Sequence, residues 1–78
     1  MKAIIGKQYK HYKGREYTVL SIARLESNPE QVCIVYRADY ETEFGKESVW
    51  IRPIEDFEAE IKIDGQKVHR FSYIDRPY

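Results

Sequence analysis

Residues 32–52, VCIVYRADYETEFGKESVWIR, decide the fold of this 78-residue chain. Within and beside this stretch, residues 31–37 are apolar on both faces and rich in β-branched side chains, the composition of a strand buried centrally in a sheet. Residues 39–47 form a long charged hairpin connection containing Gly45, and residues 48–52 resume the sheet. Each apolar segment ends in a ring close to a guanidinium: Tyr36 beside Arg37, and Trp50 shortly before Arg52. Rings next to arginines stack on planar ligands and neutralise anions, so the stretch points to binding rather than catalysis.

On either side of it, period-two alternation dominates. Residues 9–12 read as a first strand closed by the turn KGRE at 13–16. Residues 17–23 read as a second, with Tyr17, Val19, Ser21 and Ala23 on one face and Thr18, Leu20 and Ile22 on the other, so both faces are partly apolar. Ser27, Asn28 and Pro29 then break the chain in a polar loop. Pro53 ends the 48–52 strand, and PIEDF at 53–57 predicts a single helical or 3₁₀ turn, because proline suits a first helical position and acids suit that end. Residues 57–63 alternate cleanly, with Phe57, Ala59, Ile61 and Ile63 inward and Glu58, Glu60 and Lys62 toward water. Asp64 and Gly65 suit a type I′ turn, so residues 66–73 return as a last strand, and residues 75–78 are expected to fray. The sum is a single all-β domain over 1–78 with its core at about 9–74: a small SH3-like barrel of five or six short antiparallel strands with one 3₁₀ turn. An OB-type barrel is the lesser choice, because its usual helix is missing.

Composition sets limits on function. Seven tyrosines and a 14% aromatic content offset the small core that so short a chain can build, since each large ring buries roughly 150 to 250 Å². Self-association is a second such aid. Thirteen basic and thirteen acidic residues cancel to a net charge of zero, which removes the global attraction that non-specific nucleic-acid binding needs. The charge is nevertheless segregated: Lys7, Lys10, Lys13 and Arg15 crowd the N-terminal part, and Glu55, Asp56, Glu58 and Glu60 a later stretch. Cys33 is the one cysteine, which excludes an internal disulfide and leaves no zinc-ligand spacing; inside an apolar run it reads as a small buried hydrophobe. Neither a signal peptide nor an apolar run of the ~20 residues that a membrane span needs is present, so a cytoplasmic protein without membrane association is expected.

YKHYKG at 9–14, YTVLSIAR at 17–24, VYRADY at 35–40, VWIRPIEDF at 49–57 and IDGQKVHRF at 63–71, taken in order, resemble the bacterial domain-of-unknown-function family 1653 (DUF1653) over about residues 9–74. The resemblance implies a small single-domain SH3-like β-barrel and carries no established catalytic activity with it. The chain departs from the family's pattern in two places. Relatives commonly show an RHSET-like segment where this chain has RLESNPE at 24–30, so Leu25 stands where a histidine is usual, and the 39–46 loop is longer than the family's compact turn.

The candidate ligand-binding residues are Tyr36, Trp50, Arg52, Tyr12, His11 and Tyr40. If Val49 and Ile51 face the core, Trp50 and Arg52 share the opposite face; alternatively Trp50 fills the core and Arg52 pairs with an acid such as Glu55. Tyr40 and Phe44, on the loop, can complete an aromatic cluster around Tyr36. His11 lies in the aromatic and basic YKHYK, where it can donate to a phosphate, and neither it nor His69 has sequence neighbours that make a metal site. No nucleophile with its base, paired carboxylates or phosphate-binding glycine loop can be picked out. The leading expectation is therefore a non-catalytic module, without cofactor, that binds a small anionic aromatic, nucleotide-like ligand. A protein-interaction or homo-oligomerisation module using the same face and exposed edge strands is the alternative. Single-stranded nucleic-acid binding is a further one.

Overall fold

The computed structural model describes residues 3–75. Seven antiparallel strands and one helical turn follow in the order β1 (Gln8–His11), β2 (Glu16–Leu25), β3 (Asn28–Ala38), β4 (Val49–Pro53), α1 (Ile54–Phe57), β5 (Glu60–Ile63), β6 (Gln66–His69) and β7 (Phe71–Tyr73). Five strands form one sheet in the order β4-β3-β2-β1-β7, and β5 and β6 form a separate hairpin. The small all-β domain expected from the alternation is present, with seven strands instead of five or six. Its main ladder is open, β4 and β7 being the two edges, so the strands do not close into a barrel.

Four local readings are corrected, each for a physical reason. Residues 27–29 do not break the chain: Leu25 pairs with Asn28 across a two-residue connection, and Asn28 and Pro29 already belong to β3, where the Pro29 carbonyl accepts a 2.7 Å hydrogen bond from Arg24 Nη1. The mixed faces of residues 17–23 arise from a bulge. Val19 pairs with Tyr36 and Ser21 with Val35, so Leu20 is the extra residue and the face shared by Tyr17 and Val19 passes to Ile22, which pairs with Ile34 but remains 45% exposed.

Residues 57–63 are not one strand. Ile54 opens a turn of α-helix, rather than a 3₁₀ turn, closed by the Glu58 N–H on the Ile54 carbonyl at 2.9 Å, with Glu55 and Asp56 in its first turn. Phe57 thus enters the core from the helix, and Ile63, expected inward, is 40% exposed. Residues 66–73 also divide. Residues 66–69 pair with β5, and 71–73 pair with β1, with Arg70 as the corner: its N–H donates to Ala59 and its carbonyl accepts from Tyr12, both at 2.9 Å. Asp64 and Gly65, at φ 52° and 81°, make the expected type I′ turn between β5 and β6. The tail expected to fray at 75–78 lies, beyond Asp75, outside the described residues.

The core is an aromatic stack. Tyr9, Val19, Ile34, Tyr36, Phe57 and Phe71 are buried together, with Ala3, Tyr17 and Ile54 packed against them. Phe57 and Phe71 lie parallel, their centroids 4.2 Å apart, and Tyr9, Tyr17, Tyr36 and His11 meet one or both of them edge-on at 5.0 to 5.7 Å. Such pairs contribute about 0.5 to 1.5 kcal/mol each beyond their buried area.

Two substitutions test this arrangement in urea unfolding followed by far-UV circular dichroism. Phe71→Ala is expected to cost about 3 to 5 kcal/mol, a large part of the stability of so small a domain. Ile63→Ala is expected to cost less than about 1 kcal/mol, in keeping with a residue near the surface. Equal losses at the two positions would contradict the core described here.

Candidate functional site

Backbone parity positions the site. The Asp39 N–H bonds to Glu16 on β2 and the Ala38 N–H to Ser48, beside β4, so odd residues at this end of β3 bond to β2 and even ones to β4. Tyr36 pairs with Trp50 and Ile34 with Arg52. Directly opposed residues share a face, so Trp50 and Arg52 lie on the side of buried Ile34 and Tyr36. Val49 and Ile51 point outward, each 57% exposed. The conditional reading of β4 therefore holds in reverse: Trp50 and Arg52 share a face, and it is the inner one.

Tyr17, Tyr36, Tyr40, Trp50 and Arg52 line a cleft of about 230 Å³. Arg52 Nε donates to Tyr36 Oη at 3.2 Å, and its guanidinium carbon lies 5.7 Å from the centre of the Phe71 ring. No carboxylate among the described residues lies within ion-pair distance of Arg52. Glu55, the acid considered for that role, instead accepts a 3.0 Å hydrogen bond from Gln31 Nε2, which holds its carboxyl below the usual range. Trp50 is 38% exposed and meets the Phe44 ring edge-on at 5.8 Å, so it neither fills the core nor stands free.

Tyr40 closes the opposite wall. Its hydroxyl shares a 2.6 Å hydrogen bond with that of Tyr17, and the Arg15 guanidinium sits 4.6 Å above its ring. Burial first, and then this hydrogen bond, push the Tyr17 phenol well above the ordinary range. The connection that carries Tyr40 is braced by its own bonds: Thr42 and Gly45 exchange N–H···O bonds of 3.0 and 2.9 Å, and Thr42 Oγ1 meets Ser48 Oγ at 2.7 Å. The same loop turns Phe44 toward Trp50, giving a second hollow of about 360 Å³ lined by Arg15, Tyr40, Phe44, Trp50 and loop residues 41–43.

His11 packs edge-on against Phe71 at 5.0 Å. Its Nδ1 accepts the Lys13 N–H at 3.2 Å, which leaves Nε2 to carry the proton of the neutral ring. Partial burial, followed by the charges of Arg52, Lys13 and Arg70, lowers its pKa. Arg70 Nε is buried without a hydrogen-bond partner. Arg52, Arg70, Lys13 and neutral His11 thus form a positive group beside the cleft.

Of the six residues chosen from sequence, the fold brings Tyr36, Tyr40, Trp50 and Arg52 into one cleft and sets His11 beside it. Tyr12 does not line it: its ring packs on His11 at 4.5 Å and under the Lys13 ammonium at 5.8 Å. Tyr17 and Arg15 escaped the sequence reading. Their signal was present in the register of β2, since Tyr17 pairs with Ala38 and so flanks the start of the loop. A larger hollow of about 410 Å³ is lined by Arg37 and Lys46 against Asp39, Glu41 and Glu47, with Arg37 and Asp39 bridged at 3.4 Å, so its lining is net negative and does not suit an anion. Among the described residues no group of three or more His, Cys, Asp and Glu is placed to hold a metal ion.

Comparison with known proteins adds the family and the fold. No curated protein matches the chain. The chain is similar to a crystal structure of a DUF1653 protein from Bordetella bronchiseptica, with a TM-score of 0.79 at 23% sequence identity, over 96% of this chain and 92% of that one. At that identity the likeness carries the fold alone. The model of DUF1653, described as a protein of unknown function, matches residues 7–73, and the chain therefore belongs to the DUF1653 family.

Proposed function

We propose that this domain is a non-catalytic binding module whose Tyr17, Tyr36, Tyr40, Trp50 and Arg52 cleft takes a small anionic aromatic ligand of nucleotide-like character. The observation that carries the reading is Arg52: a guanidinium on the inner face of a sheet, hydrogen-bonded only to a phenol and set between rings, without a carboxylate partner among the described residues. A planar ligand stacked on Trp50 contributes about 1 to 3 kcal/mol, and a charge-assisted bond from Arg52 about 1.5 to 3 kcal/mol. The cleft's 230 Å³ lies below the roughly 300 Å³ at which pockets for drug-sized ligands begin, so it seats the base or the phosphate end of a mononucleotide and leaves the remainder outside. Zero net charge argues against a long polyanion. The phenol of Tyr17, pushed upward, serves as a neutral hydrogen-bonding group and not as a base at neutral pH.

Titration with adenosine and guanosine monophosphates, read by Trp50 fluorescence, tests this. The emission is expected to change saturably, and Arg52→Ala and Trp50→Ala are each expected to weaken binding tenfold or more, about 1.4 kcal/mol, by calorimetry. No response from the wild-type protein, or unchanged affinity in Arg52→Ala, overturns the reading. Affinity that instead falls steeply with salt for single-stranded oligonucleotides would assign the face to nucleic acid.

His11 sets a pH response in the same region. Its folded pKa lies below the unfolded value near 6.5, so between the two the unfolded chain binds more protons. The contribution is fully present above about pH 6.5 and is lost as pH falls through the folded value. The melting temperature is expected to drop from pH 7 to pH 5, and His11→Gln to reduce that slope; an identical slope in the variant would show that His11 is not its source.

A further inference from the structure

We propose that β4 is a self-pairing edge through which two copies of this chain form a two-fold dimer, each contributing Arg52 to the Trp50 side of the other's cleft. The parity of β3 supplies the first step. Even residues near the end of β3 bond to β4, so Ser48, Trp50 and Arg52 turn their backbone groups toward β3, and Val49, Ile51 and Pro53 turn theirs to the free edge of the sheet. No other strand or loop among the described residues takes up those outward groups.

An edge of this kind is ordinarily protected by lysine, by proline, by inward charges or by very short length, and β4 carries two of these, Pro53 and the inward Arg52. Here the central residues are Val49, Trp50 and Ile51, with Phe44 beside them at 71% exposure. Pro53, lacking an N–H, limits the ladder at one end, and the inward charge of Arg52 needs a partner for the edge to pair. A two-fold axis through Ile51 pairs Ile51 with itself and Val49 with Pro53. Ile51 of each copy then donates to the partner subunit's Ile51 carbonyl, and the Val49 N–H donates to the partner subunit's Pro53 carbonyl. The proline's missing donor falls at the margin of the ladder.

The same register argues for a second copy as the occupant. It places Trp50 opposite the partner subunit's Arg52 in a non-hydrogen-bonded pair, where opposed side chains approach most closely. That guanidinium, bonded to the Tyr36 hydroxyl, has no carboxylate partner among the described residues, and tryptophan is the best of the aromatic acceptors for it. The contact is made twice by symmetry. Outward-facing Val49 and Ile51 of the two copies meet on the other face, and a chain of zero net charge brings no self-repulsion to the contact. The dimer does not depend on the ligand.

The test is mass in solution by light scattering and native mass spectrometry of the whole chain, with cross-linking for the register. The wild-type protein is expected at twice the chain mass, and Ile51→Lys at one chain mass with unchanged circular dichroism. Ile51→Cys is expected to form an interchain disulfide on mild oxidation, because facing residues in a hydrogen-bonded pair lie about 5.5 Å apart at Cα, within disulfide reach. Trp50→Cys is expected not to cross-link. A monomeric wild type, a dimer that survives Ile51→Lys, or cross-linking through Trp50→Cys in place of Ile51→Cys overturns the proposal. Capture of a foreign peptide on β4 by a monomeric wild type would give the edge to another partner.

Discussion

In the C-terminal half of β3, each residue that turns its side chain toward the aromatic core also turns its backbone toward β4. Ile34 and Tyr36 are buried for this reason, and their partners on β4, Arg52 and Trp50, inherit the same face. Val49 and Ile51 are left with outward side chains and outward backbone groups. A one-residue slip of β4 would exchange the two sets, placing two aliphatic side chains over the rings and an indole and a guanidinium in water. Burial alone favours the slip, since Val and Ile are the better core residues. The observed register is held by what Arg52 and Trp50 find inside: a phenol oxygen, the face of Phe71 and the edge of Phe44.

The legible parts of the sequence were those where one signal acts alone. Residues 31–37 are apolar on both faces because β3 is central, and Asp64-Gly65 makes a type I′ turn because its two positive φ values suit few other pairs. Reading failed where two signals compete. The alternation of Phe57, Ala59, Ile61 and Ile63 is real, but Pro53 and the acids after it start a helical turn first, and only the second half of the pattern is strand. Residues 66–73 look continuous because nothing in Arg70 marks a corner. The corner is made by hydrogen bonds to Ala59 and Tyr12, both distant in sequence. In the cleft, Trp50 and Arg52 were visible as a pair, whereas Tyr17 joins them only through pairing with β3, which a single strand does not display.

Charge segregation along the chain acquires a meaning in three dimensions. Arg15 comes to lie over Tyr40, and Lys13 beside His11, while Glu55 is occupied by Gln31. Three positive groups, Arg52, Lys13 and Arg70, therefore act together on His11 in a chain whose total charge is zero. Their mutual repulsion is modest at the surface, where water screens it, and grows wherever a ring covers them. The depressed pKa of His11 reports this: burial and three cations hold the imidazole neutral, sparing the group a further charge. An arriving anion would reverse that balance, favouring protonated His11 as it neutralises Arg52.

Trp50 belongs to two surfaces at once, and this links them. One face of its ring borders the cleft, and its strand is the free edge of the sheet. Pairing through β4 sets a second guanidinium against that ring, adding positive potential where the anionic end of a ligand would sit while removing part of the exposed indole on which its plane would stack. The net effect of assembly on affinity is the difference between these terms, each of order 1 to 3 kcal/mol. Linkage makes the effect reciprocal: whatever factor dimerisation applies to ligand affinity, the ligand applies to dimerisation. A ligand with a strongly charged group and a small ring gains more from the added guanidinium than it loses in stacking area, so it favours the dimer. A large, weakly charged ring system does the opposite and favours the single chain.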